Sequence, residues 1–150
     1  MTVTISSDML NVIRAAAAAS PGAEVCGLLL GEGDMVVEAR PCANVSDEPW
    51  HRFEIDPVAL IAAHRAARGG GPAVIGHYHS HPSGLAQPSA RDAADAAPDG
   101  TIWLIAGGQA VTAWRAVATG RRHGRFDPLD LACAELTPAS HRGTSSRDFA

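Results

Sequence analysis

Cysteine is scarce in this chain: three thiols occur in 150 residues, at Cys26, Cys42 and Cys133, with no Cys-x-x-Cys pair. An odd, widely spaced set gives no disulfide framework and points to a reducing compartment. Long apolar runs are missing as well. No stretch of about eighteen apolar residues exists to cross a membrane. Met1-Thr-Val-Thr-Ile lacks the basic region of a secretory signal, and the alanine run Ala15–Ala19 is too short and too weakly apolar to serve as one. The expected compartment is the cytoplasm. Excess positive charge is also absent: 12 Lys+Arg against 16 Asp+Glu leave a formal charge of −4. Such a chain has no general attraction to nucleic acid or to a membrane surface, so neither is an expected partner. The one basic cluster, Arg121-Arg122-His123-Gly124-Arg125, reads as a solvated turn. No coiled coil or interface stripe argues for self-association, and homodimerisation stays open.

What is present suits one compact enzyme domain, because 150 residues at 46% apolar content can bury a substantial core. Its most telling stretch is His79-Ser80-His81-Pro82, followed after six intervening residues by Ser89-Ala90-Arg91-Asp92. In an extended segment His79 and His81 point to one face, their Cα atoms roughly 6.5–7 Å apart, so both rings can reach one cation. Pro82 ends the strand, since it cannot donate to a sheet ladder. Asp92 can return from the next element as a third ligand. Three protein ligands with an open fourth position describe a catalytic zinc site rather than a structural one. Zinc suits a small His/His/carboxylate set, although iron or manganese can use similar groups. Such a site needs a base. Glu24, between the loop Ser20–Ala23 and the apolar run Val25–Leu30, is a candidate, because an acid at the mouth of a buried strand is costly without a partner. On composition alone it could equally be a solvated loop residue.

The set resembles the JAMM (MPN-plus) metallopeptidases. Their pattern is a Glu, a long gap, His-x-His-Pro, six residues and Ser-x-x-Asp, and Glu24, His79, His81, Pro82, Ser89 and Asp92 match every position. The resemblance runs over roughly residues 1–126. It implies that His79, His81 and Asp92 ligate one zinc ion per chain, with a water completing the tetrahedron. It also implies that Glu24 takes a proton from that water and passes it to the departing amine. Ser89 would donate a hydrogen bond to the developing oxyanion, a contact worth on the order of 3 kcal/mol.

Other residues have plainer readings. Ser89-x-x-Asp92 also resembles a helix capping box, which is compatible with metal binding because the third helical position can cap and still face an ion. His77 shares a strand face with His79 and His81 and is expected to pack or touch substrate, or to act behind the ligands, rather than to bind metal. Cys26 is expected to be a buried, inert thiol. His51, His64, His123 and His141 lack ligand spacing and read as surface residues. Trp50 reads equally well as a partner contact or a core anchor.

Along the chain, residues 2–5 read as a strand and Ser7 as the cap of a helix to about Ala19, stopped by Pro21-Gly22. Residues 25–30 and 35–39 read as a hairpin, and 52–55 as a short strand. Asp56-Pro57 opens a helix through Arg68, as N-cap and first helical residue. Residues 73–80 form the histidine strand, a short helix starts at Ser89, and strands 101–106 and 111–117 pair around Gly107-Gly108-Gln109. Leu129–Leu136 is a candidate last element. The fold class is therefore α/β. By resemblance it is a three-layer α/β/α mixed sheet, a cytidine-deaminase-like JAMM (MPN) domain, over residues 1–136. Residues 137–150, rich in Ser, Thr and Arg, read as a flexible tail.

The resemblance implies hydrolysis of a peptide or isopeptide bond just after the C-terminal glycine of a ubiquitin-like or sulfur-carrier protein. A bare domain of this length favours a sulfur-carrier or a simple tail. The loop 43–50 and the segment 83–88 are the expected walls of a groove that takes the tail as an added strand. Two other readings stay in play: a non-catalytic MPN-type scaffold, which the intact five-residue set opposes, and a zinc amidase acting on small peptides.

Overall fold

The computed structural model describes residues 1–134. The proposed boundary at residue 136 and the proposed tail 137–150 lie outside the described residues. The chain order is β1 (Thr2–Ile5), α1 (Ser7–Ala18), β2 (Cys26–Glu32), β3 (Met35–Cys42), α2 (Pro57–Arg68), β4 (Ala73–Ser80), α3 (Ala90–Asp95), β5 (Ile102–Gly107), β6 (Ala110–Gly120) and β7 (Gly124–Cys133).

Local chemistry accounts for most boundaries. The cap of α1 is Ser6 and not Ser7: the Ser6 hydroxyl accepts from the Met9 amide at 3.1 Å, one residue earlier than the sequence reading placed it. Asp56 caps α2 by accepting from the Val58 amide at 2.9 Å, with Pro57 in the first turn as expected. The β2–β3 turn passes through Gly33 at φ +58°, a conformation that glycine adopts without strain. Gly27 is required for a different reason. A Cβ there would overlap the Tyr78 ring and the Arg40 carbonyl.

The sheet is mixed, in the order β1-β3-β2-β4-β5-β6-β7, and closes on itself where β1 runs parallel to both β3 and β7. β4 and β5 are parallel and the remaining pairs antiparallel. One face therefore becomes an interior. Val3, Ile5, Leu29, Val36, Tyr78, Leu104 and Ala113 meet there with Leu10 and Ile13 of α1, which form the plug. On the other face α2 covers Leu28 and Leu30 through Ala63, and Trp103 packs with Phe126 and Ala116 near the end of α3. The expected α/β/α layering is thus present, with one helix layer wrapped by the sheet.

Two sequence readings need correction. Residues 52–55 form no strand: only Ile55 makes an isolated bridge, to Asn44, and the segment belongs to a loop. The last element begins at Gly124 rather than near Leu129. It is a full strand despite Pro128, which lies opposite Trp114.

Candidate metal centre and active site

β4 delivers both histidines. Ser80 points to the opposite side, where its hydroxyl accepts from the Val25 amide at 2.9 Å and ties the entry of β2 to the end of β4. His81 extends the ladder by one residue, its amide donating to the Ala106 carbonyl at 2.8 Å. The chain then turns through Pro82, with the Gly84 amide donating back to the His81 carbonyl. α3 supplies the carboxylate. Ser89 caps it through a complete capping box, in which the Ser89 hydroxyl accepts from the Asp92 amide (3.0 Å) and Asp92 Oδ2 accepts from the Ser89 amide (2.9 Å). The cap fixes the Asp92 rotamer and aims the same oxygen at the histidines.

His79 Nε2 lies 3.0 Å from His81 Nε2 and 3.2 Å from Asp92 Oδ2, and His81 Nε2 lies 3.0 Å from Asp92 Oδ2. A tetrahedral ion with bonds of about 2.0–2.1 Å holds its ligands roughly 3.3 Å apart. The triangle is therefore ligand-sized. His81 Nδ1 donates to the Leu85 carbonyl at 2.8 Å, which leaves the Nε2 lone pair facing the centre. Glu24 joins the group: with His79, His81 and Asp92 it forms a buried cluster whose ligand atoms lie within 4.8 Å of one another. Its Oε1 is buried with no hydrogen-bond partner, an expensive arrangement unless a further group is to be bound. These donors fit a divalent cation.

Electrostatics agree. Burial pushes the Glu24 carboxyl up to about 7, His81 pulls it down and Asp92 pushes it up again. Burial also opposes the Asp92 carboxylate, yet hydrogen bonds from His79 and His81 outweigh it and hold this group well below the usual range. Burial lowers His79 despite its bond to Asp92. For His81 burial acts downward, and bonds to Asp92 and the Leu85 carbonyl raise the net value. A carboxyl near neutrality beside one kept ionised is the pairing that acid–base chemistry at a cation requires.

A cavity of about 160 Å³ opens over this cluster, lined by Glu24, His81, Ser89, Ser83, Trp50 and His51. Ser89 accepts from the Asp92 amide through one oxygen lone pair and keeps its O–H to donate. Larger hollows exist, including one of about 430 Å³ between Gly31–Gly33 and Gly70–Ala73, but that one carries no convergent donor set. Chemistry and not volume marks the site.

The structure thus brings Glu24, His79, His81, Ser89 and Asp92 to one place. His77 does not reach the donors: its ring sits edge-on to Trp103 (4.3 Å) and beside Phe53 (5.3 Å), and burial pushes its pKa down to about 3. Cys26 is buried and its thiol is pushed up to about 12 by that burial, which makes it inert. Trp50 is 56% exposed on the cavity wall, which excludes the core-anchor reading. His64 and His123 are exposed as expected, whereas His51, also exposed, lines the cavity. His141 lies outside the described residues.

Sequence reasoning missed three supports. Phe53 stacks on His79 at 4.3 Å and 18°, and Trp103 meets the same imidazole edge-on. Asn44 donates to the Glu24 carbonyl at 2.9 Å. These contacts join residues distant in sequence, and no local spacing announces them.

Comparison with known proteins agrees with this geometry. Residues 6–118 match the family model described as prokaryotic homologs of the JAB domain. A desampylase of Haloferax volcanii is 39% identical over 99 residues, which cover 65% of this chain and 71% of that protein. A probable TtuB-protein conjugate cleaving protease of Thermus thermophilus is 38% identical over 73 residues, 49% of each chain. A JAB1/MPN domain protein of Archaeoglobus fulgidus has the same fold, with a TM-score of 0.53 over 87% of this chain and 98% of that one, at 21% identity. The chain belongs to the prokaryotic JAB-domain family, and its α/β fold is that of JAB/MPN domains.

Proposed function

We propose that this chain is a zinc-dependent metallopeptidase of the JAMM isopeptidase type, cleaving a peptide or isopeptide bond after the C-terminal glycine of a ubiquitin-like or sulfur-carrier protein. The observation that carries the reading is the convergence of His79 Nε2, His81 Nε2 and Asp92 Oδ2 beside the buried, unpartnered Glu24 carboxyl. The names of the desampylase and of the conjugate-cleaving protease support a ubiquitin-like substrate.

His79, His81 and Asp92 hold the zinc ion. When bound, that ion supplies Lewis-acid polarisation and lowers the pKa of a water to about 7. Glu24, ionised above its raised pKa, takes a proton from the attacking water at a carboxylate oxygen. It then returns that proton to the nitrogen of the departing amine. Ser89 donates its O–H to the oxygen of the scissile carbonyl as negative charge gathers there, and its cap bond to the Asp92 amide keeps it in place. The cavity between Trp50, His51 and Ser83 opens beside Glu24, His81 and Ser89 and is the proposed seat of the extended tail.

The catalytic unit spans residues 1–136. No helix of the described residues is long and apolar enough to cross a membrane. Cytoplasm is the proposed compartment, on the strength of the three unpaired thiols. All five site residues come from one chain, so a homodimer is compatible with the reading but not required by it. Nucleic acid has no place in it. The complete donor set weighs against a non-catalytic scaffold.

The test is zinc content of the purified chain, followed on the same sample by mass spectrometry with a ubiquitin-like protein carrying residues beyond Gly-Gly. One zinc per chain and chelator-sensitive cleavage after the glycine are expected. Zinc with turnover of short peptide amides alone would instead favour a small-substrate amidase. Failure to take up zinc would overturn the catalytic reading.

A further inference from the structure

The loop 43–55 holds two residues of the site, Glu24 and His79. Asn44 is its hub. The Asn44 amide donates to the Glu24 carbonyl (2.9 Å) and the Arg52 carbonyl (3.1 Å), while its Oδ1 accepts from the amides of Ser46 (3.0 Å) and Glu54 (3.1 Å). Two donors and two acceptor positions are the full capacity of a carboxamide, so every one is engaged. The same loop holds the other side of Glu24: the Glu24 amide donates to the Pro49 carbonyl at 2.7 Å. Both backbone groups of Glu24 are therefore bonded to the loop, while its carboxyl has an oxygen with no partner. The carboxyl is placed through its backbone.

At the far end of the loop, Phe53 lies against His79. A metal-binding histidine ordinarily donates its second ring nitrogen to an acceptor that fixes its tautomer and orientation. His81 does so, through the Leu85 carbonyl. His79 does not: its Nδ1 is buried with no partner among the described residues. What holds this ring is the parallel face of Phe53 at 4.3 Å, with the edge of Trp103 at 5.6 Å closing the other direction. Stacking stands where a hydrogen bond would ordinarily be.

We infer that Asn44 and Phe53 are positioning residues for the site, Asn44 setting the proton-carrying carboxyl of Glu24 and Phe53 setting the ligand ring of His79. The inference rests on the functional reading above and deepens it, because it separates two effects that a merely structural loop would merge. A displacement of about 1 Å at a reacting group costs on the order of a hundredfold in rate, whereas loss of a group that orients a metal ligand costs about 10–100-fold in metal affinity.

The experiment compares Asn44→Asp, Phe53→Leu and Phe53→Tyr in the full chain. Asn44→Asp keeps both accepted bonds and loses both donated ones, so kcat is expected to fall at least about thirtyfold with KM within about twofold and zinc affinity unchanged. The amide of Glu24 should exchange with solvent at least about tenfold faster. Phe53→Leu should raise the zinc dissociation constant about tenfold in chelator competition, and Phe53→Tyr, which keeps the stacked ring, should restore it. Asn44→Ser, read by the same split, serves if Asn44→Asp does not fold. Wild-type kcat and Glu24 exchange in the Asn44 variants would overturn the first assignment. Zinc affinity unchanged in Phe53→Leu, or equally weak in Phe53→Tyr, would overturn the second. Zinc affinity and amide exchange need no substrate. A wild-type chain that binds zinc but cleaves nothing therefore sinks the substrate reading alone.

Discussion

The two faces of the sheet are built to opposite rules. Inside the closed sheet, Val3, Ile5, Ile13, Leu29 and Leu104 are at most 1% exposed and contribute only carbon to the core. Across the same strands, the outer face near the end of β4 buries Glu24, His79, His81 and Asp92 within one small cluster. Three of the five buried polar atoms without partners among the described residues, Glu24 Oε1 and the Nδ1 atoms of His77 and His79, gather on that outer side, the other two being Nε atoms of Arg115 and Arg125. Tyr78 and His79 are adjacent in sequence, yet one serves the interior and the other the site. A strand alternates its side chains, so stability and chemistry can share a backbone without sharing an environment. The interior holds the fold together, and the outer cluster buries polar groups in an arrangement that a bound cation would relieve.

Substitutions on either face should break this contrast in different ways. The largest stability loss is expected inside. Leu104→Ala removes a fully buried side chain and should cost about 2–5 kcal/mol in denaturant unfolding, while leaving zinc stoichiometry unchanged. A smaller effect of opposite sign is expected outside. Glu24 has a folded pKa of about 7 against 4.5 in the open chain. Below pH 4.5 the carboxyl is protonated in both states and its burial is tolerated. As pH rises from about 4.5 to about 7 the unfolded chain ionises first, so stability is lost through that window. Glu24→Gln has no such titration. In the metal-free protein it should therefore gain on wild type by on the order of 2–3 kcal/mol between pH 4.5 and pH 7.5, measured by thermal or denaturant unfolding at both values. Equal pH dependence in the two proteins would show that the site carries no stored cost.

Much of both faces was legible in the sequence. Asp56-Pro57 marked the start of α2, and Ser89-x-x-Asp92 marked a capping box that also brings the Asp92 carboxylate to the cluster. The period of two along β4 put His79 and His81 on one side. Three features were hidden for physical reasons. In the sequence the last element reads as starting at Leu129, yet β7 begins at Gly124 and runs through Pro128 because its partners β6 and β1 supply the register. Closure of the sheet depends on β1 meeting β7, a pairing between the two ends of the described chain that no local pattern encodes. The supports of the site are likewise long-range contacts: Asn44 beneath Glu24 comes from the loop read as a groove wall, and Phe53 against His79 from the segment 52–55 read as a strand.

The central claim is that Glu24 moves the proton while His79, His81 and Asp92 hold the metal. Its most direct test is the cleavage rate and zinc content of Glu24→Gln beside wild type, on a ubiquitin-like protein with a tail beyond its terminal glycines. Full zinc with a rate reduced by about 10²–10⁴-fold is the predicted result. Full zinc with most of the rate retained would contradict the account.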